Sequence, residues 1–338
     1  MKEHHVRNRG DGQSEGGSVV QLNRSTFLAA LPLMSLTTGV AGAQTASPAV
    51  PTPLRVGATA NDTYAEAYYG VDTGIFAKAG LDVTISTFAN GAAVAAGVAS
   101  GALDLGVTNP VQIANAIANG IPFAYFAGGG LYSSAAPTTL LVVAKASPLH
   151  TARDLEGMVV ANSTLKDLTQ LAAETFLTQG GADVSKVKMI EMPFAEMGPA
   201  LQRGTVQAAV LSEPSLTAAI LAGQVRSFGK IYDAFGPRFY ISGWFSTRSW
   251  LSANASTAAR YAKATYDVAR WGNANHEQSG KILAKYSKIA ADVASHMTRC
   301  TYAESLNPAL LDPVLSVAAK AKLTSRPVTS AEIIAAGA

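Results

Sequence analysis

Two segments of the chain share one design: Gly101-Ala-Leu-Asp-Leu-Gly-Val-Thr-Asn-Pro110 and Gly204-Thr-Val-Gln-Ala-Ala-Val-Leu-Ser-Glu-Pro214. Each places a glycine before a short apolar run, then a pair of polar residues, then proline. The run is too short for a buried helix and suits a buried strand. Proline fits the first turn of a helix, where its missing N–H costs nothing, and Asn or Ser ahead of it can cap that helix. Both segments therefore read as a strand running into a helix, and their recurrence predicts two α/β units rather than one long sheet. In open parallel sheets ligands lie beyond the carboxyl ends of the strands, where helix starts present free N–H groups. Thr108-Asn109 and Ser212-Glu213 are thus expected to face each other across a cleft. The plainer reading of each pair alone is an ordinary helix cap.

The rest of the chain follows the same alternation. Strands are expected over 54–58, 81–85, 138–144, 158–161 and 187–191. Helices are expected from Asn90-Gly91 to Ser100-Gly101, over 111–119 up to Gly120, over 165–179 with Ser163 as cap, and over 195–202. Thr63 and Glu66 have the spacing of a capping box. This βαβ winding makes a parallel sheet the default. From Leu251 onward the pattern turns helical (255–275, 280–288, 290–299, 308–321) with no strand signal of comparable strength. Those helices are expected to return to the first unit and make it discontinuous.

Several function classes lack their signatures. The charged fraction is 14% against 48% hydrophobic, and the net charge of +3 is scattered, with no basic run interleaved with aromatics to follow a phosphate backbone, so no nucleic-acid partner is expected. Cys300 is the one cysteine, which excludes an intrachain disulfide and a cysteine-built zinc site. The five histidines show no HExxH spacing, so no metal and no cofactor are expected. Neither GxxxxGK[ST] nor GxSxG occurs, and no GxGxxG follows a strand. Asp62 and Glu213 could form an acid and base pair, yet no nucleophile, metal or tuned histidine lies near either in sequence. Gly128-Gly129-Gly130 reads as a flexible connector more readily than an anion cradle.

Residues 1–43 read as a leader and secretory signal. Arg24 precedes an apolar run reaching about Val40, and Ala41-Gly42-Ala43 offers the small residues of a cleavage site before Gln44; a membrane span would need about 20 apolar residues. Ser25 stands where a twin-arginine signal would have its second arginine, and no cysteine follows the run to take a lipid.

The stretch Tyr69-Gly-Val-Asp-Thr-Gly-Ile-Phe-Ala-Lys-Ala-Gly-Leu-Asp-Val83, followed by Ser100-Gly-Ala-Leu-Asp104, Ala152-Arg-Asp-Leu-Glu-Gly157 and Ser212-Glu-Pro214, resembles the periplasmic solute-binding proteins of ABC importers for nitrate, sulfonates, taurine and thiamine pyrimidine precursors. The resemblance covers about 54–251. It implies an α/β, two-lobed type II periplasmic binding protein fold: each lobe a mostly parallel sheet flanked by helices, the lobes joined by two hinge crossings. The crossings are expected near 131–136 and 241–246, with lobe 1 formed by 54–135 plus 246–338 and lobe 2 by 136–245. It further implies a periplasmic monomer without enzymatic activity that delivers a small-molecule ligand to an inner-membrane permease and its ATPase. An exported enzyme or a ligand-sensing module on the same scaffold is the alternative. Ser212 and Ser215 stand where the family often has aromatics, so the ligand is not transferred by motif.

The strand ends nominate the ligand-binding residues. Thr59, Asn61 and Tyr64 follow the first strand, Asn90 and Gly91 the second, Thr108 and Asn109 the third. Ser163, Thr164 and Glu213 come from the second unit. Trp244 is expected at the second crossing, and Phe88 and Phe194 as further walls. None of these loops holds an arginine, which disfavours a multiply charged phosphate. A small, weakly charged organic molecule fits better, with Glu213 favouring an amine or amidine and Lys166 a sulfonate or carboxylate.

Overall fold

The computed structural model describes residues 50–337; the leader and signal expected over 1–43 lie outside the described residues. The chain opens with β1 (Thr52–Thr59), β2 (Leu81–Phe88), β3 (Leu105–Thr108) and β4 (Phe123–Gly128). It crosses through β5 (Gly130–Ser133) into β6 (Thr139–Ala144), β7 (Val159–Asn162), β8 (Lys188–Glu191), β9 (Ala208–Ser212) and β10 (Val225–Gly229). It returns through β11 (Arg238–Tyr240) to β12 (Gly243–Thr247), and a short β13 (Thr301–Tyr302) follows among C-terminal helices.

Two five-stranded sheets result, ordered β2-β1-β3-β12-β4 and β8-β7-β9-β6-β10. The orders are equivalent: three parallel strands, then one antiparallel strand, then a last strand paired antiparallel to it. All but one strand of each sheet therefore run the same way, and the reversed strand, β12 or β6, is the one entered directly from a crossing. The central strands read as continuous apolar runs because both faces are covered: every residue of β3 and of β9 is buried. One face of the second sheet packs with Leu168, Leu171 and Leu177 of the helix Leu168–Gln179, the other with Met197, Leu201 and Leu216.

The two crossings pair with each other. β11 and β13 flank β5 in a three-stranded antiparallel sheet. The return crossing ends earlier than expected, because β12 starts at Gly243 and pairs with both β3 and β4, so Gly243–Phe245 sit in the first sheet rather than the second lobe. The glycine run is not a free connector. A Cβ on Gly130 would lie 2.9 Å from the Thr63 carbonyl and on Gly129 2.7 Å from Ser242 Oγ, so these residues permit close backbone approach. Ser242 Oγ accepts from the Gly130 N–H (2.7 Å) and donates to the Thr63 carbonyl (2.8 Å), tying both crossings to the loop after β1.

Local expectations divide. Pro110 opens the helix Pro110–Ala118, and Asn109 caps it by accepting from the Gln112 N–H (3.0 Å). The capping box at Thr63 does not form: Thr63 Oγ1 donates to Asn61 Oδ1, and Glu66 is buried against Trp244. Ser163 caps nothing either, since the helix begins at Leu168 and Asp167 caps it. The helix Asp312–Lys320 does not pack on the first lobe alone: its Val314 and Ala318 join the core of the second sheet.

Candidate functional site

A narrow cavity lies where the carboxyl ends of both sheets meet. The first sheet contributes Thr59, Asn61, Thr63 and Tyr64 after β1, Asn90 and Gly91 after β2, and Asn109 after β3. Equivalent places in the second sheet contribute Ser163, Thr164 and Asp167 to Thr169 after β7, Phe194 after β8, and Ser212 at the end of β9. Tyr232 and Ile241, from the return toward the first lobe, complete the wall. Thr59, Asn61 and Phe194 also line a wider groove with Phe88 and Lys288, which forms the outer mouth between the lobes.

Local structure explains each position. Asn90 accepts from the Ala93 N–H (3.0 Å) and so fixes the start of Gly91–Ala99. A Cβ on Gly91 would lie 2.2 Å from Thr108 Oγ1, so glycine lets this helix start press against β3. Asp167 Oδ1 accepts from the Thr169 N–H (2.9 Å), the Thr169 hydroxyl (2.7 Å) and the Gln170 N–H (3.2 Å). Burial pushes its carboxyl up to about 6 despite these donors, with the Glu191 charge adding to the rise. Burial and the Asp167 charge together raise the phenols of Tyr64 and Tyr232, which stay neutral donors at physiological pH. Thr59 Oγ1 is buried and has no hydrogen-bond partner.

Five expected residues do not reach the cavity, and one of them, Phe88, lines only the outer groove. Thr108 is buried behind Gly91, one residue short of Asn109. Glu213 turns from the cavity into the junction between lobes. Its carboxylate accepts from the Thr217 N–H (3.1 Å), the Thr217 hydroxyl (2.8 Å) and the Thr298 N–H (3.3 Å), and its carbonyl accepts from the Asp62 N–H (3.2 Å). Trp244 is fully buried in the first sheet, donating from Nε1 to Glu66 Oε2 (2.9 Å) and packing edge-on to Tyr261. Lys166 is exposed and lies off the lining. Ser212, expected with Glu213 to face the cleft, does line it, and the lining residues that strand-end reasoning misses are Thr63, Asp167 to Thr169, Tyr232 and Ile241.

Behind the loop bearing Asn61 and Thr63 sits a buried ion pair. Arg299 Nε donates to Asp62 Oδ1 (3.0 Å), with side chains 6% and 0% exposed, and Arg299 Nη2 donates to the Tyr69 hydroxyl (2.8 Å). Asp62 also accepts from the Cys300 N–H and, at its carbonyl, from the Tyr302 hydroxyl. These bonds answer the acid and base question for Asp62: it anchors a loop. Among the described residues no His, Cys, Asp and Glu cluster could hold a metal ion, and no helix is long and apolar enough to cross a membrane.

Two equivalent α/β lobes, two paired crossings and one polar cavity between strand ends define a two-lobed clamp of the periplasmic binding protein type. The chain belongs to the family described as NMT1/THI5 like, whose profile matches residues 61–278. No curated protein sequence matches it. Among solved structures it is similar to the periplasmic aliphatic sulphonate binding protein SsuA from Escherichia coli (22% identity, 84% of this chain and 92% of that one, TM-score 0.68). It is also similar to the alkanesulfonate-binding protein SsuA from Xanthomonas axonopodis pv. citri, solved with MOPS (18%, 85% and 99%, TM-score 0.71). The desulfurization enzyme DSZB shares the fold as well (13%, 84% and 96%, TM-score 0.61).

Proposed function

We propose that this chain is the extracytoplasmic ligand-capturing component of an ABC importer, holding a small organic molecule between lobes that close on it. One observation carries the reading: equivalent strand ends of both sheets line a single cavity, so one ligand would touch both lobes at once. Such a ligand binds the closed form more tightly and shifts the hinge equilibrium toward it, and that closed shape is what a permease reads. In this proposal Thr59, Asn61, Tyr64, Asn90, Gly91, Asn109, Ser163 and Thr164 are ligand-binding residues. The jaws are the strands up to β4 with β12 and the C-terminal helices, and β6 to β10 with their helices. A periplasmic location, export through the leader, a monomeric state and an inner-membrane permease with its ATPase belong to the same proposal.

Sulfonate capture by structural neighbours supports a binding role, while DSZB supports the enzymatic alternative. Capture is preferred because the cavity's one carboxylate uses Oδ1 to cap a helix, and no histidine, cysteine, lysine or arginine among the described residues lines the cavity beside it. Thermal-shift screening of purified protein against small sulfonates, nitrate, amines and pyrimidines, with nuclear magnetic resonance of each hit after prolonged incubation, tests this. Stabilisation with the hit recovered intact is expected; turnover of the hit would replace capture by catalysis.

A further inference from the structure

We propose that the cleft selects a compact organic cation, a protonated amine or amidine, in preference to a sulfonate or nitrate anion; this rests on the capture reading above. Asp167 is the one carboxylate lining the inner cavity, and no lysine, arginine or histidine among the described residues lines it with Asp167. Its Oδ1 is spent on the helix cap, whereas Oδ2 accepts no hydrogen bond from the protein. A second, independent feature belongs to the same lining: Thr59 Oγ1, on a residue 7% exposed, is buried without a partner. An acceptor with a negative charge and an unpaired hydroxyl together suit an N–H-bearing head group.

Helix starts ordinarily favour anions, so their state here decides the sign. Asn90 already takes the Ala93 N–H, Asn109 takes the Gln112 N–H, and Asp167 takes those of Thr169 and Gln170. Pro110 has no N–H to give. These caps take up one or two N–H groups at each helix start, and an anion drawn to those that remain would meet the Asp167 charge with no cation on the cavity lining among the described residues to offset it. The nearest lining lysine, Lys288, belongs to the outer mouth. Tyr64, Tyr232 and Phe194 add aromatic rings to the wall, and ring faces attract cations.

Isothermal titration of the full chain with ethylamine, acetamidine and benzamidine, against ethanesulfonate, nitrate and taurine, tests the preference. At least one amine or amidine is expected to bind, and the anions ethanesulfonate and nitrate and the zwitterion taurine each to bind more weakly. Asp167→Asn keeps a capping oxygen and removes the charge, so cation affinity should fall about 10- to 100-fold, the worth of a hydrogen bond to a charged group. A matching melting curve without ligand checks that this variant folds. Tighter binding of ethanesulfonate or nitrate, binding of taurine alone, unchanged cation affinity in the variant, or no binding of any amine or amidine would overturn the proposal. Conversion of a bound amine into product would leave the charge preference standing and remove the capture reading instead.

Discussion

Glu66 has a single hydrogen-bond partner, the Trp244 indole, and burial pushes its carboxyl up to about 8. Below the unfolded value, near 4.3, both states hold the proton and its stabilising contribution is complete. As pH rises from there to about 8 the native state binds more protons than the unfolded one, so stability falls. Glu66→Gln keeps an acceptor for Trp244 and removes this slope: melting temperatures of wild type and variant should diverge by several degrees between pH 5 and 9, with the variant higher at alkaline pH. Gly91→Ala puts a Cβ 2.2 Å from Thr108 Oγ1 in a buried contact. Overpacking of this kind costs about 1–3 kcal/mol, and denaturant unfolding should register it together with weaker ligand binding. Most of the lining was legible, because Thr59, Asn61, Asn90, Asn109 and Ser163 follow directly from strand ends. Asp167 was hidden by Ser163, which looked like the cap of a helix that in fact starts later. Trp244 misled because an aromatic near a crossing looks the same in sequence whether it faces ligand or core; only Glu66, distant in sequence, distinguishes the two.

Strands and helices were read with different success for physical reasons. β3 and β9 stood out because both faces are covered and their residues are apolar up to the closing Thr108 and Ser212. β13 holds only Thr301 and Tyr302, too few residues for any periodicity, and it exists because β5 offers an open edge. That strand follows Arg299, whose ion pair fixes the loop after β1. Arg299→Met should leave Asp62 buried without its counter-charge and cost about 3–5 kcal/mol, as loss of one partner of a buried pair does. Chemical denaturation is the measurement, and ligand affinity should drop as well, since Asn61 and Thr63 sit on the loop this pair holds.

The lobes touch through few polar contacts apart from the hinge. Asn115 Nδ2 donates to the Lys166 carbonyl (2.8 Å), and Thr298 and Asp62 donate to Glu213. Asn115→Ala removes one such bond without altering the cavity lining. Ligand affinity should weaken by about two- to tenfold, the worth of one neutral hydrogen bond, and small-angle scattering should show a larger radius for the protein with subsaturating ligand. The two-unit architecture was visible from the repeated strand-to-helix segments, whereas the exact return of the chain was not, because β12 carries no mark of which sheet it completes.

That return dictates an order of assembly. β12 lies between β3 and β4, yet the chain supplies it only after all of β6 to β10. An N-terminal fragment ending near residue 236 would hold one finished sheet and one with a missing plank, its neighbours unable to pair. Long-range closure of this kind is slow compared with local pairing. In refolding followed by pulsed hydrogen exchange, amides of β6, β7 and β9 should gain protection ahead of those in β3 and β4, so the half of the molecule made first is the half completed last.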